Sequence, residues 1–131
     1  MPIKRSKDQS TTNQTLVAFY EKLQQSDEPV SKNIGTHILQ LLAKLDTIFT
    51  VSNIYALTSM FHTVLLSENT WKSQWVLKFI NNGKEFIITE TDEETHKLTK
   101  ETTFYTQEEF ITYILNAMRK SGYCNDIPEL K

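Results

Sequence analysis

The spacing of apolar residues changes twice along this chain. Apolar positions recur every three or four residues up to about Leu66, alternate from Trp75 to Ile88, and return to three-and-four spacing from Phe110. The first spacing is that of one helix face and the second that of one strand face. The chain therefore predicts an α+β fold: N-terminal helices, a central antiparallel β-hairpin or three-stranded meander, and a C-terminal helix packed on the sheet.

Residues 1–11 are charged and polar without periodic apolar positions, and read as a mobile arm. A first helix is expected from Thr12 or Asn13, with Leu16, Phe19, Tyr20 and Leu23 on one face. The turn residues Ser26-Asp27-Glu28-Pro29 stop it near Gln25. Ser31 is the expected N-cap of a second helix, whose stripe runs Ile34, Ile38, Leu41, Leu42, Leu45, Ile48 and Phe49. The β-branched run before Ser52-Asn53 places a break near Thr50. A third helix is expected beyond it, carrying Ile54, Leu57, Met60, Phe61, Val64 and Leu65 on one face. One long helix from Ser31 to Leu66 is the alternative.

Asn82-Gly83 between alternating runs predicts a hairpin with a two-residue turn. That loop length sets the pairs Phe79 with Phe86, Leu77 with Ile88, and Trp75 with Glu90. Residues His96 to Thr103 read as a third strand whose Lys97, Lys100 and Glu101 suit a solvated edge. Thr106-Gln107-Glu108-Glu109 is a capping box for the last helix, with Tyr105 and Phe110 placed to form a hydrophobic staple and Gly122 as its stop. Residues 12–122 thus make a single α+β domain, followed by an irregular tail at 123–131.

Composition narrows the class. The 131 residues are 39% hydrophobic and 23% charged, ordinary for one folded domain able to bury a core without disulfides or a structural metal. A net charge of −2 disfavours nucleic-acid binding, which needs a basic surface, although Lys4, Arg5 and Lys7 cluster in the arm. Cys124 is the only cysteine, so an intramolecular disulfide framework is excluded. The chain shows neither a signal-peptide pattern nor a membrane span, and a cytoplasmic location is expected.

Candidate chemistry is sparse. His37, His62 and His96 stand far apart without metal-ligand spacing; only a tertiary meeting of His37 with His62, beside Asp46 or Glu68, would make a site. Cys124 has no local cysteine-hydrolase signature and reads as a passive thiol. No activated-serine motif is present, and three glycines cannot build a phosphate-cradling loop. No cofactor is expected, and the chain is read as non-enzymatic.

Residues Glu85 to Glu109 carry eight carboxylates against Lys97 and Lys100, a local excess of six negative charges. Such a run is ordinarily a solvated edge, and otherwise a surface that steers a basic partner. Within it Asp92, Glu93 and Glu94 lack the alternating ligand positions of a calcium loop. On the second face of the hairpin Val76, Ile80 and Ile87 are apolar, and Trp71 lies just outside the strand.

These features predict a protein–protein interaction module, a small inhibitor, adaptor or chaperone-like regulator. Its partner-binding residues would be Trp71, Val76, Ile80, Ile87, Asp92, Glu93 and Glu94, and its broad helix faces are compatible with a homodimer. The rival expectation is a small-ligand-binding domain or enzyme with a pocket between helices and sheet, lined by Tyr55, His62, Trp75 and Tyr113. A deep cavity with converging polar groups favours that rival.

Overall fold

The computed structural model describes the backbone at residues 3–5 and residues 15–59, 62–70, 73–91, 94–95, 98–124 and 127–130. The elements are β1 (Ile3–Arg5), α1 (Leu16–Gln24), α2 (Pro29–Ile48), β2 (Ile54–Ser59), β3 (His62–Leu66), β4 (Val76–Asn81), β5 (Phe86–Thr91), β6 (Leu98–Phe104) and α3 (Gln107–Ser121), then a short 3-10 turn (Pro128–Leu130). The class is α+β, as the periodicity predicts, but the sheet is larger than a hairpin or three-stranded meander. Five strands, β2 to β6, form an antiparallel meander in sequence order, and β1 adds a parallel edge strand along Ile54–Ala56. That edge strand lies within the segment read as an arm.

Helix α1 starts where Thr15 Oγ1 accepts the Ala18 N–H at 3.0 Å. Helix α2 begins earlier than expected, because Glu28 and not Ser31 is its N-cap. The Glu28 carboxylate accepts the Val30 and Ser31 N–H groups at 3.1 and 2.6 Å, and Pro29 occupies the first helical position, where its missing donor costs nothing. The Ser31 N–H, then the Ser31 side chain and the Val30 N–H, hold this carboxyl below its ordinary range. The two helices cross in backbone contact at Gly35. A Cβ there would lie 2.6 Å from Gln24 N and from Tyr20 O, so only hydrogen fits.

The expected third helix is instead the hairpin of β2 and β3, which pair antiparallel with Ala56 opposite Leu65 and Leu57 opposite Val64. Both faces of these strands carry apolar side chains: Ile54, Ala56 and Leu65 point to the core, while Tyr55, Leu57 and Val64 point away. With both faces apolar the period of two vanishes, and two short strands in succession imitate helical spacing. Aromatic and β-branched residues such as Ile54, Tyr55, Thr58, Thr63 and Val64 suit the strand that forms. Met60 and Phe61, counted in the helical stripe, lie outside the described residues.

The β4–β5 turn differs by two residues from expectation. Ile80 faces Ile87 and Asn81 faces Phe86, so the loop is 82–85 and the pairs Phe79–Phe86, Leu77–Ile88 and Trp75–Glu90 are not the register. Asn82 stabilises the longer loop: its N–H donates to Glu85 O at 3.2 Å, and its Oδ1 accepts the Lys84 and Glu85 N–H groups at 3.0 and 2.8 Å. Gly83 supplies the positive φ of +94°. A slip of two keeps each side chain on its face, which is why the inward set survives the wrong pairing.

All three helices contribute to one core on the inward face. Ile38, Leu41, Leu42 and Leu45 of α2 and Phe110, Ile114 and Met118 of α3 cover Leu65, Leu77, Phe79, Phe86 and Ile88 of the strands. Phe110 packs its ring 4.8 Å from Phe79, 4.7 Å from Phe86 and 5.3 Å from Phe104. These contacts hold it where a staple to Tyr105 was expected, and Tyr105 stays 71% exposed. Helix α3 otherwise matches its sequence signals, with Thr106 Oγ1 accepting the Glu109 N–H and Gly122 in the left-handed region.

The residues after α3 are docked. Cys124, Ile127 and Leu130 are buried, and Arg119 Nε donates to Leu130 O at 3.0 Å. Glu129 reaches the loop between α2 and β2, accepting the Val51 N–H at 2.9 Å, the Ser52 N–H at 2.8 Å and the Ser52 hydroxyl at 2.7 Å. The Ser52 N–H contributes most to lowering this carboxyl to about 2, while partial desolvation opposes it.

Two outcomes follow from these contacts. Gly35→Ala should cost about 1–3 kcal/mol despite alanine's better helix propensity, because two helix backbones must separate; equal or greater stability in urea unfolding would refute the close approach. Glu129→Gln removes the charge and keeps the size. Since the folded carboxyl is depressed, its contribution is present above the ordinary carboxylate pKa, about 4.5, and is lost as pH falls towards about 2. The melting temperature of the variant should therefore lie below that of the wild type at pH 7, with the gap closing on acidification.

Candidate functional site

The apolar spacing of α1 and α2 does more than fill the core. Phe19 and Leu23 are one turn apart on α1, and Val30, Ile34 and Ile38 follow at four-residue steps on α2, so each set forms a continuous ridge. The two ridges face the end of the sheet where β2 and β3 meet and β4 finishes. Between them lies a cleft of about 460 Å³. Its helix walls are these apolar side chains together with Tyr20, Glu28 and Ser31, and its sheet wall is formed by Thr58, His62, Thr63, Ile80 and Asn81.

The polar groups of the cleft are ordered by hydrogen bonds. Tyr20, from the buried side of α1, shares a 2.6 Å hydrogen bond with the Thr63 hydroxyl. Asn81 is 6% exposed, and its Oδ1 accepts the Gly83 N–H at 2.9 Å. That donor fixes the orientation of the carboxamide, so His37 Nδ1, 3.3 Å away, must be the donor to the same oxygen. Asn81 Nδ2 is buried with no hydrogen-bond partner. Among the described residues, the side chains lining the cleft include no lysine or arginine; Glu28 is engaged in capping α2.

Of the four liners expected for a pocket, the structure places His62 here and disperses the others. Tyr55 lines a separate polar depression of about 380 Å³ with Ser67, Glu68 and Tyr123. Trp75 is buried in the core, and Tyr113 packs its ring 5.0 Å from Phe104. His37 and His62 do not converge on a metal: no cluster of three or more histidine, cysteine or acidic side chains exists among the described residues. Cys124 is buried, with Ser121 Oγ 3.9 Å from its sulfur. The histidine His96 lies outside the described residues.

The candidate partner-binding residues fall on the other side of the sheet. Val76 is 51% exposed, and Ile80 and Ile87 are half-buried and opposite one another in the β4–β5 ladder. Ile80 also reaches the cleft rim. Leu57 and Val64 extend the apolar row beside the exposed Lys78. Glu94 is exposed, as are Glu101, Glu108 and Glu109, and Lys44 forms a 2.7 Å surface ion pair with Glu108. Trp71, Asp92 and Glu93 lie outside the described residues. No helix among the described residues is long and apolar enough to cross a membrane.

Sequence reading missed Thr58, Thr63 and Asn81 as wall residues. The first two fall in the segment expected to be a third helix, and Asn81 directly precedes the expected Asn82-Gly83 turn. The available signal was Tyr20, a hydroxyl on an otherwise apolar helix face that requires a buried partner. Comparison with family models, curated proteins and solved structures finds no match, so the functional reading rests on this geometry.

Tyr20→Phe should cost about 1–2 kcal/mol in chemical denaturation, since it leaves the buried Thr63 hydroxyl without the phenol. An unchanged midpoint would show that this hydrogen bond adds no net stability.

Proposed function

We propose that this chain is a non-enzymatic binding protein whose cleft between α1, α2 and the sheet receives a small, largely apolar molecule. The observation that carries this reading is the cleft itself: about 460 Å³, walled largely by Phe19, Leu23, Ile34, Ile38 and Ile80, with polar groups among them. Small-molecule sites combine this size, an apolar lining and few polar groups. Binding is favoured over catalysis because several of the polar groups are already tied into the fold: Tyr20 to Thr63, Glu28 to the start of α2, and Asn81 Oδ1 to Gly83 and His37.

A second reading, protein binding through the outer sheet face, is favoured by the 51% exposure of Val76 and by Ile80 and Ile87 lying opposite one another, half-buried, on that face. In that reading the exposed Glu94 and Glu101 bias encounter with a basic partner.

One experiment separates the two. The neutral fluorophore N-phenyl-1-naphthylamine should bind with enhanced emission, and Ile34→Trp or Leu23→Trp, which fill the cleft, should weaken it by about tenfold or more, equivalent to about 1.4 kcal/mol. Val76→Asp should leave it unchanged. Circular dichroism confirms that each variant is folded. Emission insensitive to both tryptophan variants, or abolished by Val76→Asp, would move the apolar site to the outer face and overturn the cleft reading.

A further inference from the structure

We infer that the polar depression beside Tyr55 is a second binding site, separate from the cleft, and that its ligand is a neutral polyhydroxylated molecule, a sugar ring. The depression, about 380 Å³, lies where the loop between α2 and β2, the end of β3 and the segment after α3 come together. Its volume falls in the range of small-molecule sites, which begin at about 300 Å³.

The walls are fixed from behind. Glu129 accepts the Val51 and Ser52 N–H groups and the Ser52 hydroxyl. Ser73 Oγ accepts the Ser67 and Glu68 N–H groups at 3.1 Å each, and Glu68 Oε2 accepts the Gln74 N–H at 3.0 Å. Two loops distant in sequence are thus set before a ligand arrives, which lowers the ordering cost of binding. The groups those walls carry are uncommitted. Among the described residues, the Asn53 carboxamide and the Tyr55 and Tyr123 hydroxyls have no hydrogen-bond partner, and Glu68 keeps Oε1 in reserve.

The chemistry of these groups selects the ligand. A carboxylate oxygen only accepts, a phenol hydroxyl donates once and also accepts, and a carboxamide does both from separate atoms. An ammonium ion would satisfy Glu68 but bring no acceptor for the Asn53 and tyrosine donors. An anion would bring acceptors but no donor for Glu68, and would meet like charge. An apolar molecule would displace water from all of them and replace none of its hydrogen bonds. A hydroxyl both donates and accepts, and neighbouring ring hydroxyls present the two functions side by side, as the carboxamide requires. Val51 and Ile127 add apolar area for the C–H face of the ring.

The test titrates the isotope-labelled chain with the methyl glycosides of glucose, galactose, mannose and N-acetylglucosamine and follows its amide signals by NMR. Tyr123 is 56% exposed, so the affinity expected is weak, in the millimolar range. At least one glycoside should shift the amides of Asn53, Tyr55, Glu68 and Tyr123 saturably. Asn53→Ala, and Glu68→Gln, which keeps an oxygen for the Gln74 N–H and puts an amide nitrogen in place of Oε1, should each weaken that glycoside by about fivefold or more. Both variants should keep the amide spectrum of the folded chain elsewhere. Leu23→Trp, which fills the cleft, should leave glycoside binding unchanged, so the two sites stand or fall separately. Glycerol, choline and phosphate are the comparison probes. Shifts from glycerol as large as those from the best glycoside would mark a hydrated surface without a ring site, and tighter binding of choline or phosphate at these amides would mark an ion site. Either result, no saturable shift from any glycoside, or unchanged affinity in either variant would overturn the inference.

Discussion

A backbone-to-backbone crossing at Gly35 fixes how the two N-terminal helices sit, and much of the molecule is arranged around it. Position 35 faces Tyr20 O and Gln24 N so closely that any side chain would drive the helices apart. The residues flanking that crossing, Tyr20 and Leu23 on one helix and Ile34 and Ile38 on the other, become neighbours at the sheet end. Tyr20 also ties α1 directly to β3 through Thr63. Separating the helices would therefore disturb the core edge and the cleft together, because the same side chains serve both.

The fold is asymmetric in what it covers. Helices α1, α2 and α3 all contribute to the core on one face of the meander, where three phenylalanines around Phe110 hold α3 in place. The opposite face keeps Val76 and Lys78 exposed in the middle of the chain's most regular alternation. The cleft and the outer row consequently belong to different surfaces and meet at Ile80. Edge strand β6 carries the exposed Lys100 and Glu101, charges that discourage continuation of the ladder into another chain.

Legibility in the sequence followed the number of faces an element buries. Helix α3 and strand β4 bury one face against an exposed one, and their periods are plain; the cap at Thr106 and the stop at Gly122 sharpen the former. Strands β2 and β3 are apolar on both sides, which erased their period and produced helical spacing by coincidence. The β4–β5 register depended on a loop two residues longer than Asn-Gly alone suggests, because the Asn82 side chain organises two further N–H groups. The cleft was illegible for a different reason: its walls come from α1, α2 and three strands, so no local pattern joins Tyr20 to Thr63 or His37 to Asn81. Those pairings are consequences of topology.

The docking of the carboxyl-terminal segment gives the molecule an internal reporter. Cys124 is the single thiol of the chain, is buried, and sits between the end of α3 and the turn that Glu129 fastens to Ser52. A soluble maleimide reaches that sulfur only when this segment lifts away. The rate of alkylation under native conditions would therefore time the opening of the clasp separately from unfolding of the sheet, with no engineered label.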